Sequence, residues 1–157
     1  MYAADLGTTV GEIRLTHHLP AHGVSADAPI LTLRGPVLAE TIAPGDRIIT
    51  RNGARIVRAV EVAVLDAAEV VTFDRSAPDH GTTALHLPRA QPVYLRGERA
   101  MDLTQKPQAT VEAAHLIDGA TVRAQDLGAL RLITLQFDSP EVIYAGGLEL
   151  GCPAVAA

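Results

Sequence analysis

No stretch of this chain carries an apolar repeat of about 3.6 residues over the length of a helix, and this constrains its fold more than any other feature. Short runs of strand formers alternate instead with turn residues. Ala28-Pro29 leads into Ile30-Leu31-Thr32-Leu33, with the proline at the strand edge, where its missing N–H is tolerated. Gly35-Pro36 ends that piece, because glycine accepts positive φ and proline withdraws a donor. Pro44-Gly45-Asp46 makes the next turn, and Arg47 to Thr50 leaves it as a strand. Asn52-Gly53 predicts a two-residue hairpin turn with both residues in left-handed geometry, followed by one long strand from Ala54 to Val64.

The same rhythm continues to the end of the chain. A strand is expected near Ile13-Arg14-Leu15, another over Ala68 to Phe73, and a surface loop over Asp74 to Gly81. Thr83 to Leu87 and Gln91 to Leu95 read as short strands, and Met101 to Thr110 reads as a connection with a short turn. Thr110 to Ile117 is expected to be extended and to end in a hairpin at Asp118-Gly119. Leu130 to Phe137 alternates most clearly, with Leu130, Leu132, Thr134 and Gln136 on one face and Arg131, Ile133, Leu135 and Phe137 on the other. Glu141 to Ala145 is the last expected strand. The fold class is mainly β, a domain of many short antiparallel strands.

Composition narrows the function. The chain has 157 residues, a single-domain size, and three Tyr and two Phe with no Trp leave little material for stacking nucleobases. Thirteen Lys and Arg against eighteen Asp and Glu give a net charge of -5, so no nucleic-acid partner is expected. No apolar run reaches about 18 residues, and no basic start precedes an apolar stretch, so neither a membrane span nor a signal peptide is expected. A cytoplasmic location follows by default. Cys152, the one cysteine, lies beside a Gly/Pro/Ala tail and reads as inert or frayed.

The succession Thr32-x-x-Gly35, Glu40, Ile42, Pro44-Gly45-Asp46, Ile48, Thr50 and Asn52-Gly53 resembles the start of the Hint family, the domain shared by hedgehog autoprocessing regions and inteins. It is most similar to the bacterial branch, often found as stand-alone or appended modules. Leu87-Pro88-Arg89-Ala90 resembles the stretch where that branch carries Ser-Pro-x-His, and Leu116 to Val122 and Thr134 to Leu148 resemble its closing strands. The resemblance covers roughly residues 25–150, leaving 1–24 as an N-terminal lead-in and 151–157 as a tail. It implies a horseshoe-like β fold with a pseudo-two-fold arrangement of strands.

Active members place a Cys, Ser or Thr just before the first strand, where it attacks the preceding carbonyl with histidine moving protons. By spacing from Thr32 that nucleophile falls on Gly23, and the expected histidines fall on Ala90, Thr134 and Pro140. The resemblance therefore implies a degenerate module without the catalytic Cys and His. Protein splicing is not expected, because Asn52, the sole asparagine, sits in a turn.

Three functions remain. The first is a non-catalytic Hint-like module that binds a protein or forms a homodimer through an exposed sheet edge. On that reading Ser25 meets neither His80 nor His86, and Gly35, Pro44, Gly45, Asp46, Asn52 and Gly53 are structural turn residues. The second is an autoprocessing domain using Ser25 with His80 or His86. The third is a small β-barrel whose ligand cavity is lined by Ile133, Leu135 and Phe137. His17, His18 and His22 are the densest group of metal-ligand types, but adjacent histidines point apart and Leu19-Pro20-Ala21 disturbs helical spacing, so no metal or other cofactor is expected.

Overall fold

The computed structural model describes residues 12–74, 76–77, 81–82 and 84–155. The first strands are β1 (Glu12–Thr16), β2 (Val24–Ser25), β3 (Pro29–Thr32), β4 (Gly35–Leu38), β5 (Arg47–Thr50) and β6 (Gly53–Ile56). They are followed by β7 (Ala59–Leu65), β8 (Ala68–Phe73), β9 (Ser76–Ala77), β10 (Gly81–Thr82), β11 (Leu85–Leu87) and β12 (Pro92–Arg96). After the helix α1 (Glu98–Thr104) come β13 (Gln108–Glu112), β14 (Val122–Leu127), β15 (Leu130–Gln136), β16 (Glu141–Ala145) and β17 (Leu148–Cys152).

An eight-stranded sheet runs in the order β13-β12-β17-β16-β3-β5-β6, with β4 attached to β3. Beside it lie a four-stranded sheet, β1-β7-β15-β2, and a three-stranded one, β11-β8-β14. Strand pairs in these sheets are antiparallel apart from β1 against β7. The main core lies between the sheets and includes Val24, Ile30, Ile48, Leu85, Ile133 and Phe137. The protein is thus mainly β, as its turn-rich sequence predicts.

The two early hairpins are built alike. Thr32 Oγ1 donates to the Gly35 carbonyl at 2.7 Å and accepts the Arg34 N–H at 3.0 Å; Thr50 Oγ1 repeats both contacts with Gly53 and Asn52 at 2.7 and 3.0 Å. A threonine hydroxyl closes its own turn because it reaches main-chain groups two and three residues on. The predicted geometry at Asn52-Gly53 needs correcting. Only Gly53 has positive φ (93°), so Arg51 and Asn52 form the loop and Gly53 resumes the strand opposite Thr50.

Other departures have local causes. The long strand expected over 54–64 breaks at Val57-Arg58, where the chain passes from the large sheet to the four-stranded one; Val57 bonds back to Gly45 and Asp46, while the Arg58 N–H reaches Gln136. The expected connection at 101–110 holds the last four residues of α1 and the first three of β13; the helix buries Ala100 alone and so leaves no apolar period to detect. Strand β15 is buried on both faces: Leu132 packs with Ala63 and Leu65, whereas Ile133 and Leu135 enter the main core. Cys152 is neither frayed nor in a tail, since it closes β17 opposite Glu141 and is buried.

Asp118-Gly119 does not make a hairpin either; it links the 3-10 turn Ala113–Leu116 to β14. The Asp118 carboxylate accepts the Val122 and Ala120 N–H groups and the Thr121 hydroxyl, and the two main-chain donors, Val122 foremost, hold its pKa down at about 2. A carboxyl lowered from 3.8 in this way stabilises the fold above that value, and the contribution disappears as pH falls through about 2. Asp118→Asn is therefore expected to flatten the pH dependence of the thermal midpoint between about 4 and about 2, relative to the parent chain.

Candidate functional site

The site forms where the lead to β2 crosses β15, β17 and the start of β12. At its centre is the His22–Gly23 peptide bond. The Gly23 N–H donates to Gln91 Oε1 at 2.7 Å, and the His22 carbonyl accepts the Thr134 hydroxyl at 2.7 Å. Both polar ends of one peptide unit are thereby held by side chains from distant parts of the chain.

Gln91 precedes β12 and is 1% exposed. Its Nε2 donates to the Pro92 and Gly151 carbonyls at 2.7 and 2.8 Å, which fixes the amide orientation that leaves Oε1 facing Gly23. Thr134 is buried on β15, and its neighbour Ile133 pairs with Val24, so the sheet register brings Thr134 alongside the peptide.

Gly23 has a φ of 147°, which side-chain-bearing residues rarely adopt. A Cβ added there would lie 3.2 Å from Thr134 Oγ1 and 3.5 Å from the Ile133 carbonyl oxygen. The grip is therefore tightest where a nucleophilic side chain would begin.

A cavity of about 10 Å³ beside this peptide is lined by Ile133, Leu135, Ile143 and Cys152 among others, room for one water at most. It is not the deep apolar pocket that a ligand-binding barrel needs. An open cleft of about 470 Å³ adjoins it, bounded by His22, Arg51, Asn52, Pro140 and Glu141. Glu141 is buried, and its carboxylate accepts from Asn52 Nδ2 at 2.9 Å and Ser139 Oγ at 3.0 Å, with Arg55 Nε at 3.5 Å. Burial first, and the Glu141 charge second, push the Cys152 thiol up to about 12, so it stays protonated and a poor nucleophile near neutral pH.

Ser25 departs from expectation in an instructive way: it does meet His86, though through the main chain. Its Oγ accepts the His86 N–H at 3.1 Å, while the imidazole Nδ1 pairs with Thr72 Oγ1 at 2.9 Å. Burial lowers the His86 pKa, with nearby Asp27 opposing. His80 lies outside the described residues.

Ala90, where spacing places a histidine, is exposed in a turn, and Pro140 is exposed at the cleft rim. The side chain that reaches the Gly23 amide is the next residue, Gln91. Sequence reasoning missed it; the available signal was an amide side chain between a turn and an apolar strand, one place beyond the expected position.

The turn residues stay apart from the site, except for Asn52. Asp46 Oδ2 accepts the Ala43 N–H at 2.9 Å, Gly45 donates to Val57, and Gly35 closes against Thr32 beside Pro36. Pro44 stands in the Asp46 turn, and Asn52 holds Glu141. His17 pairs with the Val64 carbonyl at 3.2 Å, the His18 N–H with Thr16, and His22 is half-buried, with burial lowering its pKa. Among the described residues no three His, Cys, Asp or Glu side chains converge as a metal-holding group. No described helix is long and apolar enough to cross a membrane.

This mainly β fold, with a peptide bond clasped at the head of its first core strand, is of the Hint/intein-like class. The chain belongs to the Hint domain family, whose model matches residues 23–151, starting at the gripped glycine. Its fold is similar to that of a bacterial intein-like domain from Clostridium thermocellum, with a TM-score of 0.58 at 16% identity over 84% of this chain and 98% of that one. The MchDnaB-1 intein gives 0.53 at 17% identity, covering 81% of this chain and 98% of its own. The Msm DnaB1 intein splicing domain gives 0.51 at 18%, with 83% and 98% covered. No curated protein matches the chain.

Proposed function

We propose that this chain is a non-catalytic Hint module: it keeps the cradle for a peptide bond, lacks the side chain that would attack it, and works as a contact surface for another protein or a second copy of itself. One observation carries the reading. The His22–Gly23 peptide is held by Gln91 at its N–H and Thr134 at its carbonyl, yet Gly23 has no nucleophile to offer. Polarising a carbonyl without an attacking group leaves an amide intact.

A second reading, autoprocessing by Ser25, has one observation in its favour, the contact with His86. That contact spends the Ser25 oxygen as an acceptor for a main-chain donor, while the ring faces Thr72. Neither arrangement removes the hydroxyl proton, which attack by serine requires.

Intact mass before and after prolonged incubation with a small thiol at neutral pH tests the proposal. The full-length mass is expected to persist. A fragment ending at Val24, absent from Ser25→Ala, would establish the second reading instead, and a fragment ending at His22 would overturn the non-catalytic one.

A further inference from the structure

Among the described residues, strand β1 is the outer edge of the four-stranded sheet, paired along β7 alone. Its residues alternate by chemistry. Ile13 and Leu15 stand in register with Val60 and Val62, on the side of the sheet whose inner strands feed the main core. Beyond β7 that core runs out: Ile13 is 61% exposed and Leu15 is 68% exposed. On the other face Arg14 Nη2 lies 3.0 Å from Glu12 Oε1, with Glu61 of β7 at 4.0 Å from Nη1.

An edge strand with an apolar stripe invites another strand, and natural edges avoid this with charges that repel a like edge. Here the charges do the reverse in one register. We infer that β1 pairs antiparallel with β1 of a second copy, about a two-fold axis through Ile13, joining two four-stranded sheets into one.

In that register Ile13 faces its own counterpart, Glu12 of each copy faces Arg14 of the other, and the same ion pair forms twice by symmetry. The four charges then alternate in sign across the seam. Moving the axis by one residue, to Arg14, would set two guanidinium groups directly opposite each other, an unfavourable pairing. Charge thus favours the Ile13 axis over the Arg14 one, the Ile13 axis brings both Glu12–Arg14 pairs together, and the apolar face gains a cover from the partner's Ile13. A heterologous strand would need to reproduce both the alternation and the sign order; a second copy does so automatically.

This deepens the contact-module reading by naming the partner and surface, and it is tested separately from catalysis. Sedimentation equilibrium of the full chain over a range of concentrations is expected to show a monomer–dimer equilibrium. Glu12→Arg and Arg14→Glu alone each turn two attractive pairs into repulsive ones and are expected to weaken the dimer roughly tenfold. Combining E12R with R14E restores opposite charges and is expected to recover most of the affinity. Melting curves check that each variant is folded; E12R gives up the Arg14–Glu12 pair but keeps the Arg14–Glu61 contact to β7 that R14E removes, so it tests the seam with β1 still tied to its neighbour.

A chain that stays monomeric throughout, or a dimer indifferent to all of these changes, overturns the inference. Single-site losses without rescue in the double variant overturn the register. Intact mass separately reports cleavage, so loss of the dimer and loss of the non-catalytic reading are told apart.

Discussion

Gln91→Ala is expected to lower the unfolding free energy by about 3–5 kcal/mol. The side chain is buried and holds the Gly23 N–H, the Pro92 carbonyl and the Gly151 carbonyl together. Truncation takes the partner from all three: the buried Gly23 N–H left unpaired costs about 1–3 kcal/mol, and the two half-buried carbonyls and the cavity left by the side chain add to it. Urea unfolding of parent and variant measures the difference directly. Gln91→Glu sharpens the test, because it keeps the acceptor for Gly23 but turns a second oxygen toward two carbonyls. The carboxyl it buries has a raised folded-state pKa, so Q91E costs most at neutral pH and regains stability as acidification protonates the new group. A loss below about 1 kcal/mol for Q91A would show that Gln91 is not the clamp its contacts describe.

The second large effect is a gain. Gly23→Cys with Gln91→His is expected to make the His22–Gly23 bond cleavable. The thiolate introduced at position 23 attacks the His22 carbonyl carbon, the bond from that carbon to the main-chain nitrogen of position 23 breaks, and the imidazole at position 91 delivers a proton to the departing amine. The product is a thioester, which hydroxylamine cleaves to release residues 1–22 as a hydroxamate and return the thiol. The Thr134 hydroxyl already sits 2.7 Å from the carbonyl oxygen, where negative charge develops.

Gly23→Cys alone keeps an amide that cannot exchange protons, so it is expected to react about 10²–10⁴-fold more slowly than the double variant. The new Cβ meets Thr134 Oγ1 at 3.2 Å on a backbone of positive φ, so the strain costs stability, and a melting curve must accompany the kinetics. Equal rates for the single and double variants would show that position 91 has no part in the proton transfer.

How much of this was legible depends on the range of each interaction. That the chain turns near Gly35 and Gly53 could be read from the glycines, within a few residues; the closure of each turn by Thr32 or Thr50 came only with the structure. The overall β character followed from turn density, and the family from the order of those turns. Break points between sheets were not readable. Val57 is apolar and strand-forming, and only the pull of Gly45 and Asp46 on one side and Gln136 beyond it ends the strand there. Seven residues that bury one alanine gave α1 no pattern to announce it.

In the site, the missing nucleophile at Gly23 was visible as a residue type. The role of Gln91 was not, because it acts on an amide 68 residues away and its neighbour Ala90 matched the expected spacing. Ser25 and His86 are 61 residues apart and meet through a main-chain donor, which residue identity cannot reveal. The position of Cys152 beside a tail concealed its burial opposite Glu141.

The non-catalytic reading proposed above rests on one juxtaposition: Gln91 and Thr134 hold the His22–Gly23 peptide, and position 23 carries no side chain to attack it. Intact mass of the unmodified protein after incubation in neutral hydroxylamine, beside the G23C/Q91H variant as a reactive control, tests this most directly. The expected result is a single full-length species for the parent while the variant sheds residues 1–22. Release of a hydroxamate ending at His22 from the parent chain would contradict it.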